Sequence, residues 1–194
     1  MAVTKVEEFD SVSIQNASVQ FFENGQQQPG TKFGCIGEIE GETEVVEIVK
    51  KCAGIEVKKK SKATKMNMTV SAHIPVQVVR DYFGLSTDGL KAGIWSYGSL
   101  SKGKNFVFTA DVIDEFEDVV KLIAFSNCVD SAGFKFALEN AADEVALMEL
   151  EFTALADKLN NIYYEALVVE LEDKTIADKW HTAFTTDLVK ATTP

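Results

Sequence analysis

Apolar and polar residues alternate with a period of two along much of this chain. Between Thr64 and Ala72, Met66, Met68 and Val70 fall on one face and Lys65, Asn67, Thr69 and Ser71 on the other, the pattern of a half-buried β-strand. It returns at Phe106, Phe108, Ala110 and Val112 against Asn105, Thr109 and Asp111, and at Met148, Leu150, Phe152 and Ala154 against Glu149, Glu151 and Thr153. Antiparallel sheets with one wet face are the expectation. Val12 and Ile14 sit on even positions whereas Ala17, Val19 and Phe21 sit on odd ones, so the phase slips at Asn16 and predicts a bulge or tight bend. VVKLIAF at Val119–Phe125 and YYEALVVEL at Tyr163–Leu171 are apolar on both faces and read as central strands.

Helical periodicity is rare. Pro75 opens a segment in which Val76, Val79, Tyr82 and Phe83 share a face and Gly84 stands at the C-cap, predicting one helix over about 75–84. A candidate second helix over about 175–184 carries Ile176, Trp180, Ala183 and Phe184 at helical spacing, with Asp173 or Thr175 as its cap. Turn chemistry at Asn24-Gly25, Thr87-Asp88-Gly89 and Ser101–Lys104 separates apolar runs. Residues 41–62 are polar and two-signed, without clean alternation, and read as a long arm leaving the core, in hairpin form. The fold class is mainly β, a sandwich or barrel-like arrangement with one flanking helix. With 194 residues and 46% hydrophobic content the chain reads as one domain, 1–194, with the arm and a C-terminal segment over about 172–194. No apolar run approaches the roughly 20 residues of a membrane helix, and the N-terminus lacks a signal-peptide core, so synthesis in a cytoplasm is expected.

Charge changes the picture most. The formal net charge is −11, yet between Lys50 and Lys65 seven lysines stand against a single acid, Glu56. Sorted charge of both signs makes two complementary surfaces, which a self-assembling subunit needs to set its register. The inter-subunit contact candidates are Lys50, Lys51, Lys58, Lys59, Lys60 and Lys62, facing acidic strips such as Glu38–Glu47 or Asp111–Asp118 of an adjacent copy. A solvated strand edge guarded by lysine is the plainer explanation of the same run. Overall acidity argues against a surface that grips nucleic acid and fits one past which it slides.

Candidate chemistry is sparse. Cys35, Cys52 and Cys128 are odd in number and form no CxxC pair, which excludes a disulfide framework or zinc site and suggests small core residues. His73 and His181 belong to no HExxH or Cys/His cluster; each reads as a satisfied or solvated histidine, His181 with Asp178 three positions before it. Ser99-Leu100-Ser101-Lys102 matches SxxK, but in a Gly/Ser turn instead of at the start of a long helix. No phosphate-binding glycine motif is present. The carboxylates of 111–118 lack the glycine and spacing of a calcium loop and read as solvated. No catalytic, metal or cofactor site is expected.

Taken in order, FGCIGEIEGETE at Phe33–Glu44, GIEVKKKSKATKMNMTVSAHIPVQVVRDYFGL at Gly54–Leu85, DGLKAGIWSYG at Asp88–Gly98, AFSNCVDSAG at Ala124–Gly133, and ENAADEVALMELEFTALAD with IYYEALVVEL resemble the major tail proteins of long-tailed, non-contractile bacteriophages and of related phage-tail-like bacteriocins. The resemblance runs from about Val12 to Leu171 and rests on order and extent, not on a catalytic signature. It implies a β-sandwich or barrel-like fold with a flanking helix, hexameric rings stacking into a hollow tail tube, location in the virion after synthesis in the bacterial host, and tape-measure, tail terminator and distal tail partners. It further implies a lumen through which DNA passes unbound; Glu38, Glu40, Glu149 and Glu151 are the lumen-facing acidic candidates. The competing reading is a monomeric β-sandwich that holds a ligand through Trp95 and Tyr97; a hydrolase built on Ser99 and Lys102 ranks last.

Overall fold

The computed structural model describes residues 5–116, 119–135 and 145–191. Among these residues nine strands form one antiparallel sheet: β1 (Ser11–Glu23), β2 (Gln26–Gln27), β3 (Thr31–Lys32), β4 (Cys35–Cys52), β5 (Ile55–His73), β6 (Phe106–Asp114), β7 (Val120–Asp130), β8 (Met148–Leu155) and β9 (Tyr164–Leu167). The order is β2-β1-β6-β7-β8-β5-β4, with β3 against β1 and β9 against β7. The fold is therefore mainly β, sandwich-like, with small helices. No helix among the described residues is long and apolar enough to cross a membrane.

The alternating stretches supply one buried face. Val19 lies opposite Phe108, and Phe108 opposite Phe125. Val70 lies opposite Leu150, and Met68 opposite Phe152. Phe106, Phe108 and Phe152 are fully buried. Their rings meet at centroid distances of 5.3 Å for Phe106–Phe152 and 5.5 Å for Phe108–Phe152. Each such side chain contributes roughly 1.5–3 kcal/mol by leaving water.

The sheet curls until its two ends meet. β3 pairs with β1 near one end of the order, and after Phe33 and Gly34 the same chain becomes β4 at the other end. Phe33 drives its ring edge-on into Phe108 at 5.1 Å, and Gly34 has φ +138°, where a Cβ would collide with the His73 carbonyl. The phase slip in β1 is a bulge: Asn16 has φ +49°, the register to β6 shifts between Gln15 and Ser18, and Asn16 Nδ2 donates to Asp111 at 2.6 Å.

Helix α1 (Val76–Phe83) starts after Pro75 and ends at Gly84 in the left-handed conformation. It lays Val78, Tyr82 and Phe83 on the core, and Tyr82 donates its hydroxyl to the Glu151 carbonyl at 2.8 Å. Burial, with nearby Asp130, Cys128 and Glu151, pushes this phenol well above its ordinary range.

Two expectations need correction. Tyr163–Leu171 is not a long central strand: β9 spans four residues along the first half of β7 and passes into a 3-10 turn at Val168–Glu170. It is apolar on both faces because Tyr163 stacks on Phe125 of the main core at 5.3 Å while Tyr164 stacks on Phe184 at 5.6 Å. The C-terminal helix stops early, as α2 (Thr175–Trp180), followed by α3 (Thr186–Val189). The bond a longer helix would make, from Phe184 N–H to the Trp180 carbonyl, is replaced by the buried amide of Gln20: its Nε2 donates to Trp180 O at 3.2 Å and its Oε1 accepts from Phe184 N at 2.8 Å. Trp180 and Phe184 cover Val107, Leu122 and Ala124 on the outer face of β6 and β7, forming a second apolar cluster.

Candidate assembly surface

Strands β4 and β5 are 18 and 19 residues long, but β8 pairs with β5 only from Lys65 to Ala72. Beyond Lys65 the hairpin runs outward as two strands with no third strand beside them among the described residues, and from Lys51 to Thr64 every residue is exposed. It turns at Ala53 and Gly54, with φ +51° and +83°, the two positive values a type I′ turn needs.

The register fixes which charges share a face. Glu38 lies opposite Ser71, itself opposite Glu149; Glu40 lies opposite Thr69, itself opposite Glu151. The four acidic candidates therefore come together on the outer face of β4, β5 and β8, with Glu42 and Glu44 extending the row along β4. Glu44 accepts from Asn67 Nδ2 at 2.8 Å and pairs with Lys65 at 3.0 Å, and these partners hold its carboxyl below the usual range. Glu151 pairs with Lys135, which raises that ammonium's pKa.

Of the lysine candidates, Lys62 lies opposite Val46, Lys60 opposite Ile48 and Lys58 opposite Lys50, all on the face that carries the glutamates nearer the core. Lys59 projects from the reverse face and pairs with Glu47 at 2.6 Å; Lys51 lies opposite Glu56. Lys50 and Lys58 face one another directly, an arrangement of like charge that costs free energy in an isolated sheet.

The other candidates are placed elsewhere. Asp111 and Asp114 are buried, not solvated: Asp114 accepts from the Asp10 N–H at 2.8 Å, and Asp111 from Asn16. Glu117 and Asp118 lie outside the described residues. His181 is satisfied, but by Asp111 through Nε2 at 2.7 Å and Thr109 through Nδ1 at 2.9 Å, not by Asp178. This Thr-His-Asp chain has the residue types of an acyl-transfer triad, yet Thr109 is 0% exposed, so its hydroxyl meets no substrate. His73 is exposed at the end of β5. Cys128 is buried, which pushes its thiol well above the usual range, but Cys35 and Cys52 are exposed at the two ends of β4, against the expectation of core residues.

In the loop holding Ser99 and Lys102, the engaged hydroxyl is that of Ser101, which accepts from the Gly98 N–H at 3.0 Å. Trp95 lies under the guanidinium of Arg80 at 4.2 Å, and Tyr97 stacks on Phe134 at 5.3 Å, so both aromatics fasten this loop to α1 and its surroundings. A cleft of about 1050 Å³ opens between the β1–β2 turn, the residues before β6 and the start of α3, floored by Phe22, Val107 and Phe184. No group of three metal-ligating side chains occurs among the described residues.

These features define an antiparallel β protein with a projecting, charge-sorted hairpin. No protein-family model and no curated protein matches the chain. Among solved structures, the chain is similar to the cryo-EM structure of the anti-feeding prophage cap (AFP tube terminating cap), with 14% identity over 86% of this chain and 99% of that one and a TM-score of 0.41. A likeness of that degree decides neither fold nor function.

Proposed function

We propose that the protein is a structural subunit that assembles with copies of itself into the hollow tail tube of a phage or phage-tail-like particle, as stacked hexameric rings, without a catalytic site. The observation that carries this reading is the hairpin. Two strands held out from the core without a third strand among the described residues, with like charges opposed across them, are poorly supported in a free subunit, since an isolated two-stranded hairpin is marginal at best in water. A neighbour that covers the hairpin removes both costs. The ordered resemblance from Val12 to Leu171 supports the tail-tube form of that assembly, with tape-measure, terminator and distal tail proteins as further partners.

On this reading Glu149 and Glu151, on a strand flanked by β5 and β7, face the lumen, where carboxylates repel DNA phosphate. Glu38 and Glu40, on the edge strand β4, stand at the boundary between subunits. Replacing Glu149 and Glu151 by lysine is expected to slow DNA passage through assembled particles; unchanged genome delivery would remove their assigned role.

Negative-stain electron microscopy and sedimentation across a concentration series test the assembly itself. Hollow rods or stacked rings are expected. Compact monomers at every concentration would overturn the reading in favour of a monomeric ligand-binding module.

A further inference from the structure

The outer face of the long hairpin carries opposite charge in its two halves. Along β4 the even positions read Glu38, Glu40, Glu42, Glu44, Val46, Ile48 and Lys50, and no extra residue interrupts β4 between Glu38 and Cys52. The register shifts at Glu44/Val45 and Lys50/Lys51 insert their extra residues, Thr64 and Val57, on β5 instead. The half nearer the core is therefore a glutamate row, and the projecting half a lysine row of Lys58, Lys60 and Lys62 beside Lys50.

Among the described residues, Glu44 at the end of its row is the member of either row held in an ion pair. The hairpin's described ion pairs are Lys59–Glu47, on the reverse face, and Lys65–Glu44, at the junction of the halves. Lys58, Lys60 and Lys62 and Glu38, Glu40 and Glu42 belong to neither. Successive members of each row are two residues apart along a strand, about 6.8 Å, so the rows have one spacing. Between the lysines, Val46 and Ile48 are 53% and 60% exposed and offer apolar area that the charges alone would not.

We propose that the lysine row of one subunit's hairpin seats on the glutamate row of a second copy, head to tail, so that each subunit gives its projecting half and receives another's. The inference rests on the assembly reading and names the mating surfaces within it. Each copy keeps one unmated row at its free end, so the contact repeats until it closes into a ring or continues as a filament. Lys50 and Lys58, opposed at a cost in the free subunit, gain anions above them in the assembly. The charges set the register, and burial of Val46 and Ile48 supplies affinity.

Two charge-reversed proteins test this: one carrying Lys58→Glu, Lys60→Glu and Lys62→Glu, the other Glu38→Lys, Glu40→Lys and Glu42→Lys. All six sites are exposed, and far-UV circular dichroism and thermal melting check that each variant folds. The wild type is expected to assemble. Each variant alone should need roughly tenfold or more the wild-type concentration to do so, and an equimolar mixture should recover assembly with both proteins in every particle. If either triple variant misfolds, the single reversals Lys60→Glu and Glu40→Lys replace it, with the same mixing rescue expected at smaller amplitude. If the wild type assembles and the variants do so equally well alone, or the mixture shows no rescue, the mating surfaces are wrong while the assembly reading stands. Particles that stop at two copies would overturn the head-to-tail arrangement. A wild type that stays monomeric would instead defeat the assembly reading.

Discussion

Gln20 and Phe184 exchange the hydrogen bond that ends a helix: the Gln20 Oε1 accepts the Phe184 N–H at 2.8 Å, while the same amide donates Nε2 to the Trp180 carbonyl. The orientation of the amide is set by Gln27, whose Nε2 donates to Gln20 Oε1 at 2.6 Å. One side chain of β1 thereby holds the C-terminal segment across the outer face of β6 and β7.

Gln20→Leu is expected to lower stability by about 1–3 kcal/mol, because it leaves a buried donor and acceptor without their partner. Part of the loss is recovered if Phe184 N–H turns to the Trp180 carbonyl and lengthens α2. Denaturant unfolding measures the loss, and faster amide exchange at Phe184 and Thr182 locates it. An unchanged midpoint would show that the segment is held without the Gln20 amide, by its aromatic rings and its other hydrogen bonds, such as those of His181 and Trp180.

Asp157 predicts an acid-dependent loss. Burial raises its pKa, but hydrogen bonds from Tyr164, the Asn161 and Leu159 N–H groups and Ser126 outweigh this, and its folded value lies below 3.8. A depressed folded pKa gives stability that is fully present above the unfolded value and is lost as pH falls through the folded one. Asp157→Asn should therefore be less stable than wild type at pH 7, with the difference shrinking below about pH 4. A pH-independent difference would remove the carboxylate from the explanation.

How much of this was legible follows from what a hydrophobic pattern records. Lys65–Ala72, Phe106–Val112 and Met148–Ala154 are readable as strands because each has one wet face, and α1 because Pro75 and Gly84 bracket it. The pattern says which face is buried but not which strands adjoin, so the passage from β3 to β4 through Phe33 and Gly34 left no trace in it. His181 meets an aspartate 70 positions away, beyond the reach of local spacing. The lysine run was visible, but the opposition of Lys50 to Lys58 depends on the extra residue Thr64 in β5, which periodicity alone did not reveal. Cys35 and Cys52 were misplaced because cysteine is usually buried; for Cys52 that general tendency ran against the arm reading of residues 41–62, which does put it outside the core.

The hairpin turn offers a local test. Ala53 holds φ +51°, a region that a residue with a Cβ visits at a cost of roughly 1 kcal/mol. Ala53→Asn, giving Asn-Gly at the two central positions, should slow amide exchange near the tip while leaving the global melting temperature unchanged. A shift of the global melt would mean that the arm folds as one unit with the core.

The thiols separate cleanly by position. In the native protein a thiol reagent should modify Cys35 and Cys52 quickly, and Cys128 only on unfolding, since Cys128 is buried and its pKa is raised. Mass spectrometry of the labelled peptides reads this directly. Fast native labelling of Cys128 would indicate local opening of β7.

The anchoring of the hairpin gives the arm a mechanical character. β5 enters the sheet along eight consecutive residues opposite β8, from Lys65 to Ala72, and the hydrogen bonds of that antiparallel ladder lie across the strand direction along which the arm projects. A pull at the tip loads that ladder in shear, every hydrogen bond at once, whereas a sideways push meets only a two-stranded ribbon. The arm is thus stiff in tension and compliant in bending, a ribbon that transmits a pull along its length and yields to a push from the side.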